Sequence, residues 1–337
     1  MRAFLLRHWF LVGLVVLLPL AFVMGANHPP EWSVQALQQL PTSYCTAAIL
    51  FLMSVTLKTE RLLDALRKPK AVSLAFLVNQ AAVPLLALPL LGLQTSADLR
   101  VGLLIAACVP CTMASASVWT RRAAGNDAVS LLVTLSTNGL CFLITPFWLA
   151  VGTRWFGTAE AAEGLGFGAM VTRLTLGALL PAMLGQLARK PARVCRFVDD
   201  NKPWFSNGAQ CIILTLVFVS AFRGAVRFEG DGMIENLRHA EFATVWICCI
   251  ALHCAAMVVA WTLSGAFGLP DADRRACVIA GSQKTLPIGI LVSDATGMPF
   301  SLLPMLMFHA SQLFIDTWVA DRMKKAATQS DDGSTSG

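Results

Sequence analysis

Lys284 stands inside a long apolar run, in the segment Gly281-Ser282-Gln283-Lys284-Thr285-Leu286-Pro287-Ile288-Gly289. A lysine at the centre of a membrane span costs about 2.5–3.5 kcal/mol on insertion scales, so such a residue calls for a role. Two functional roles fit it: an anchor for an anionic substrate, or a fixed positive charge in place of a coupling cation. The structural alternative is a pairing with a carboxylate or with backbone carbonyls. A second apolar run is interrupted in the same manner, at Pro110-Cys111-Thr112-Met113-Ala114-Ser115-Ala116-Ser117. Neither Pro110 nor Pro287 can donate to a helical ladder, and the small and polar neighbours offer hydroxyls and amides to the backbone groups so released. Half-helix amino ends present N–H groups to anions, while exposed carbonyls and hydroxyls coordinate cations.

Polar residues elsewhere extend this candidate site. Ser130, Thr134, Thr137 and Asn138 fall on or near one helical face. His309, Gln312 and Asp316 recur at helical spacing, and Asn79 and Gln80 sit side by side in a third apolar run. The substrate set expected from these patterns is Lys284, Thr285, Gln283, Thr112, Ser115, Asn138 and His309. Each stripe is equally compatible with hydrogen bonding between helices. His253 reads as a packed core histidine. The ten cysteines do not suggest a disulfide scaffold: all but Cys195 lie in apolar segments, where a thiol behaves as a small buried hydrophobe.

The elements that must carry these residues are membrane helices. Of 337 residues 56% are hydrophobic and 14% charged, and mean hydropathy is +0.63. That balance excludes a single water-soluble domain. The net charge of +6 is dispersed among apolar runs, which disfavours nucleic-acid binding. Apolar runs bounded by charge place ten spans near 9–25, 38–57, 71–93, 101–120, 128–152, 168–188, 205–222, 242–267, 276–295 and 300–319. The first is read as a retained helix, not a cleaved leader.

With both termini cytoplasmic, most Lys and Arg fall on the inward side, from Arg2 and Arg7 through Lys58, Arg61, Arg67 and Lys68 to Lys324 and Lys325. Outer loops keep Arg100, Arg154, Arg223, Arg227 and Arg238, and Arg173 and Lys284 lie within spans. The loop 223–241, which also carries Glu229, Asp231, Glu235 and Glu241, is expected outside with an interfacial helix. The polar stretch 328–337 is expected to be a disordered cytoplasmic tail, and 1–327 one transmembrane domain. Interrupted spans four and nine occupy equivalent places if 9–152 and 168–319 are repeats. Five spans per repeat is odd, so the second would be inverted.

Gly125-Asn126, with Ala128, Ser130 and Thr134, resembles the GNxAxSxxxT motif of the bile acid:sodium symporter family, and the resemblance extends over residues 9–319. Ser282-Gln283-Lys284-Thr285-Leu286 and the FHASQLFID run at 308–316 are similar to its SBF-like branch. The resemblance implies an all-α polytopic membrane protein of ten helices, two inverted five-helix repeats forming panel and core domains, with helices four and nine interrupted and crossing. It also implies that sodium is the co-transported ion, with Ser117, Ser130 and Thr134, and further Ser282 and Asn79 or Gln80, as oxygen ligands. Where the family places a glutamate in helix nine this chain offers Ala280 or Gly281, and then Lys284.

The expected function is secondary active transport of an organic anion, cation-coupled symport by alternating access, in a bacterial plasma membrane. No covalent chemistry and no organic cofactor are expected, and the bilayer and a small organic anion are the expected partners. The rival is a membrane sensor that keeps the fold without transport.

Overall fold

The computed structural model of the chain describes residues 9–27, 29–57, 69–113, 115–156, 166–230, 239–298 and 300–334. Arg2, Arg7, Lys58, Arg61, Arg67, Lys68 and Arg238, and the 231–238 part of the expected outer loop, lie outside the described residues.

Among the described residues all regular structure is helical. The elements are α1 Trp9–Ala26, α2 Glu31–Gln38, α3 Thr42–Val55, α4 Pro69–Leu91, α5 Ala97–Cys108, α6 Ser115–Arg122 and α7 Asp127–Phe156. They continue with α8 Phe167–Ala188, α9 Ala192–Asp200, α10 Lys202–Gly230, α11 His239–Ala266, α12 Asp271–Ser282, α13 Leu286–Thr296 and α14 Leu303–Ser334. Among the described residues six stretches are long and apolar enough to cross a membrane: α4, α7, α8, the 202–226 part of α10, the 240–266 part of α11, and α12 with α13 taken together. Val12–Ala26 and Thr42–Val55 are shorter apolar helices. The protein is an integral membrane protein with several spans.

Three boundaries differ from the sequence expectation. The second span begins at Thr42, because Pro41 separates it from α2. The seventh runs on to Gly230, so residues 223–230 are helix and not loop. Arg223 explains part of this extension: its guanidinium donates to the carbonyl of Leu37 at 2.6 and 3.0 Å and to that of Leu40 at 2.9 Å, satisfying the carboxyl end of α2. The last helix continues to Ser334, through most of the tail expected to be disordered from Thr328. An already nucleated helix adds polar residues at little cost.

The helices pack in two groups. α1, α2, α3, α8 and α10 contact one another, and α4 to α7 pack with α11 to α14. Close backbone approach within the second group rests on Gly102 of α5. A Cβ there would meet the Ser301 carbonyl oxygen and lie 2.7 Å from the Pro304 ring. Neither group can rotate away. Gly102→Ala is therefore expected to destabilise by about 1–3 kcal/mol as overpacking, read as a lowered unfolding temperature of the purified protein; an unchanged value would refute this packing account.

Candidate functional site

Helix α5 stops where the sequence predicts. Val109, preceding Pro110, is extended at φ −67°, ψ 155°, the conformation that proline forces on the residue before it. On the other run α12 ends at Ser282, Gln283 is extended at φ −73°, ψ 144°, and α13 restarts at Leu286 with Pro287 in its first turn. A proline there costs no hydrogen bond. The two breaks touch: the Thr285 N–H donates to the Pro110 carbonyl at 2.9 Å.

Backbone groups released by the breaks find side-chain partners. Thr145 donates to the Cys108 carbonyl at 2.9 Å, and Asn138 to that of Cys111 at 2.8 Å. Thr134 donates to the Thr112 carbonyl at 3.2 Å, while the Cys111 N–H donates to Thr137 at 3.2 Å. At the second break the Asn79 amide donates to the carbonyls of Ala280, Gly281 and Gln283 at 3.1, 3.3 and 2.8 Å. Gln312 pairs with Lys284 in both directions, accepting from its N–H at 2.9 Å and donating to its carbonyl at 3.0 Å. The polar stripes of spans three, five and ten thus dock on the broken backbone, which is what makes irregular chain tolerable at membrane depth.

Lys284 is fully enclosed. Its ammonium donates to the Asn79 carbonyl at 2.6 Å, the Val109 carbonyl at 3.0 Å and the Asn79 side-chain oxygen at 3.3 Å. One proline creates this cradle. α4 carries a π-helical turn over Val78–Ala82, and Pro84 has no N–H to return to the carbonyls four and five residues before it, those of Gln80 and Asn79. The Gln80 carbonyl takes the Trp148 indole N–H at 2.7 Å, and the Asn79 carbonyl takes the ammonium. Lys284 lines neither of the two cavities described next, and its side chain ties α4 to the first break.

Two cavities flank the crossing, each bounded by both helix groups. One, of about 670 Å³, is lined by Met113, Leu135, Asn138 and Gly139 on one side and by Ser54, Gln186, Arg189 and Lys190 on the other. The second, of about 660 Å³, is lined by Thr112, Ser115, Thr285, Pro287 and His309, with Met53, Ser206 and Gln210 opposite and Arg122, Asp321 and Lys324 also in its wall. The amino ends of α6 and α13 both border this second cavity. Thr112 caps α6 through the Ala116 N–H at 3.1 Å, whereas α13 starts without a side-chain cap. Arg122 holds Asp321 in a bidentate pair at 2.7 and 2.8 Å, which keeps that carboxyl below the usual carboxylate range. With Arg122 balanced by Asp321, the two helix amino ends and Lys324 favour negative charge in the cavity.

Of the expected substrate residues, Thr112, Ser115, Thr285 and His309 meet in one cavity and Asn138 lines the other. Gln283 is buried behind the rim, accepting from Thr112 at 2.9 Å and Ser115 at 3.2 Å. Among the expected sodium ligands, the Ser130 hydroxyl is buried without a hydrogen-bond partner, and Thr134 lies one helical turn further along α7. An enclosed orphan oxygen of that kind fits a hard cation. Ser117 is half-buried on α6. The Ser282 hydroxyl, also buried, donates to the Val278 carbonyl of its own helix at 2.8 Å. Asn79, not Gln80, meets the broken backbone, and Gln80 braces it by donating to its side-chain oxygen at 3.0 Å.

The Gly125-Asn126 motif has a mechanical role. Asn126 accepts from the Ala128 N–H at 3.2 Å, capping α7, and donates to Asp273 of α12 at 2.7 Å. Sequence reasoning missed the pairing of His253 with Asp316, both fully enclosed, at 3.0 Å. Asp316 lay in a visible polar stripe; nothing in the sequence placed α11 against it.

A family model described as the SBF-like CPA transporter family matches residues 8–325. Sodium/bile acid cotransporter 7 of Danio rerio is 24% identical over 343 residues, covering 94% of this chain and 96% of its own length. Probable sodium/metabolite cotransporter BASS4, chloroplastic, of Arabidopsis thaliana is 26% identical over 326 residues, covering 89% of this chain and 70% of its own.

Proposed function

The chain belongs to the SBF-like CPA transporter family, a family of membrane transporters and not of enzymes, and from that premise we propose that it carries an organic anion by cation-coupled symport. The transport cycle is alternating access: α1, α2, α3, α8 and α10 form a panel against which the core, α4 to α7 with α11 to α14, rocks. Each half of the chain gives two spans to the panel and then three to the core, the order that two inverted five-span repeats require. The protein sits in a bacterial plasma membrane with both termini cytoplasmic.

The observation that carries this reading is the cavity of about 660 Å³ between panel and core, bordered by the amino ends of α6 and α13. An anion there is met by backbone N–H groups and by Lys324 at the rim. The volume lies within the range of small-molecule pockets. Sodium is the co-transported substrate, with the Ser130 and Thr134 hydroxyls as its oxygen ligands.

Taurocholate, chosen because a relative is named a bile acid cotransporter, serves as the probe in proteoliposomes held at equal pH on both sides. An inward sodium gradient is expected to raise accumulation several-fold over choline. Equal accumulation in sodium and choline would reject sodium coupling, and exchange of preloaded taurocholate without net uptake would reject coupling altogether.

A further inference from the structure

Helix α9 joins the end of one membrane span, α8 over Phe167–Ala188, to the start of the next, α10 from Lys202, which places it at the level of the bilayer surface. Pro191, extended at φ −67°, ψ 126°, turns the chain out of α8 and into α9. Its residues, Ala192-Arg193-Val194-Cys195-Arg196-Phe197-Val198-Asp199-Asp200, divide into three faces at helical spacing. Cys195, Val198 and Asp199 are the least exposed, and Val198 is buried. Val194 and Phe197 make an exposed apolar face, and Arg193, Arg196 and Asp200 an exposed polar one.

The apolar face is large. Phe197 is 60% exposed even though it meets Phe205 edge-on at 6.2 Å between ring centroids, and Trp204, in the first turn of α10, is 80% exposed. Aromatic rings so open, set beside guanidinium groups, belong where acyl chains meet headgroups.

Charge decides which headgroup. Arg189, at the end of α8, holds both Asp199 oxygens at 2.9 and 3.1 Å and also donates to the Val55 carbonyl at 2.9 Å. Asp199 is thereby neutralised, and α9 is fixed to the ends of α3 and α8. No carboxylate among the described residues pairs with Lys190, Arg193 or Arg196; the contact of the Arg196 guanidinium is with the Ala192 carbonyl at 3.4 Å. These three exposed cations stand against the single carboxylate of Asp200. A soluble anion would use the cations and leave the aromatic face bare. An uncharged lipid would cover that face and leave the cations uncompensated.

We propose that α9, with Lys190 and Trp204, is a binding surface for an anionic phospholipid. The phosphate meets Lys190, Arg193 and Arg196, and the acyl chains lie against Val194, Phe197 and Trp204. Arg189 links this surface to α3 and α8, so the lipid ties the panel to one leaflet while the core moves; that consequence alone rests on the transport reading above.

The test measures thermal unfolding of the full chain in dodecylmaltoside micelles titrated with dioleoylphosphatidylglycerol or dioleoylphosphatidylcholine. The anionic lipid is expected to raise the unfolding temperature further than the zwitterionic one at equal mole fraction, and added salt to shrink the difference. Each of Lys190→Gln, Arg193→Gln and Arg196→Gln is expected to raise the half-saturating phosphatidylglycerol concentration about fivefold, and the three together about a hundredfold. The triple Arg193→Lys, Arg196→Lys, Lys190→Arg exchange is expected to retain the response. Phe197→Ser with Trp204→Ser is expected to weaken it while every charge remains. Equal shifts with the two lipids, or an undiminished response in the glutamine variants, overturns the proposal. Inorganic phosphate that stabilises the wild type as well as phosphatidylglycerol does would overturn it in favour of a soluble anion. Should the triple glutamine variant not fold, the single replacements decide. Transport enters none of these measurements, so absence of taurocholate uptake would reject the transport reading and leave the lipid result standing.

Discussion

Lys284→Ala protein in choline chloride is expected to unfold well below the wild type, and sodium chloride to restore a part of that loss that it does not confer on the wild type. The ammonium satisfies three oxygens, the Asn79 and Val109 carbonyls and the Asn79 side chain. Removing one partner of a buried charged contact costs about 3–5 kcal/mol when the remaining groups are left unpaired. The truncated side chain leaves a cavity walled by those oxygens on two converging breaks, a hard-cation site in composition. Sodium present at a hundred times its dissociation constant stabilises by about 2.7 kcal/mol. Any sodium held at Ser130 and Thr134 acts on both proteins alike, so the difference between their sodium responses isolates the vacated cradle. Thermal unfolding in the two salts at equal ionic strength measures it. A variant whose sodium response equals that of the wild type would show that Lys284 is a structural tie and does not stand in for a cation. Lys284→Gln provides the check if the alanine variant does not fold, since its amide can still donate to two of the three oxygens.

The places where the chain departs from regular helix were legible in the sequence, and the partners across the breaks were not. Pro110 and Pro287 mark both interruptions because a missing N–H is a local property. The charge on Lys284 was equally visible, and so was its need for compensation. Its partner was not, because it depends on a π turn in α4 produced by Pro84, which frees a carbonyl on a helix about two hundred residues away in sequence. The same holds for His253. As a lone histidine on an apolar run it reads as core, and only the packing of α11 on α14 gives it a carboxylate. Polar stripes told which helix faces look inward without saying whether they meet substrate or backbone. Thr137 and Thr145 meet backbone, whereas Thr112, Ser115 and Thr285 open on a cavity. Composition misjudged the two polar helix ends. The 223–230 extension exists because Arg223 bonds the end of α2, a tertiary contact, and α14 is prolonged by a helix already in place.

Gly139→Trp is expected to abolish taurocholate uptake, by tenfold or more, in a protein whose unfolding temperature is unchanged or raised. The residue lies in the middle of α7, on the wall of the cavity of about 670 Å³ between panel and core. A Cβ placed there meets nothing within 4 Å. Glycine inside a helix costs roughly 0.5–1 kcal/mol relative to alanine, so any side chain that clears its neighbours stabilises the helix. An indole from this position projects into that space, so in the alternating-access cycle proposed above it obstructs both solute and motion. Gly139→Ala gains the same helical stability with a single methyl group and is expected to keep most of the uptake. The pair therefore separates transport from folding. Equal uptake by the tryptophan variant would remove this cavity from the translocation path and leave the opposite one, lined by Thr112, Ser115 and Thr285, as the route for the anion.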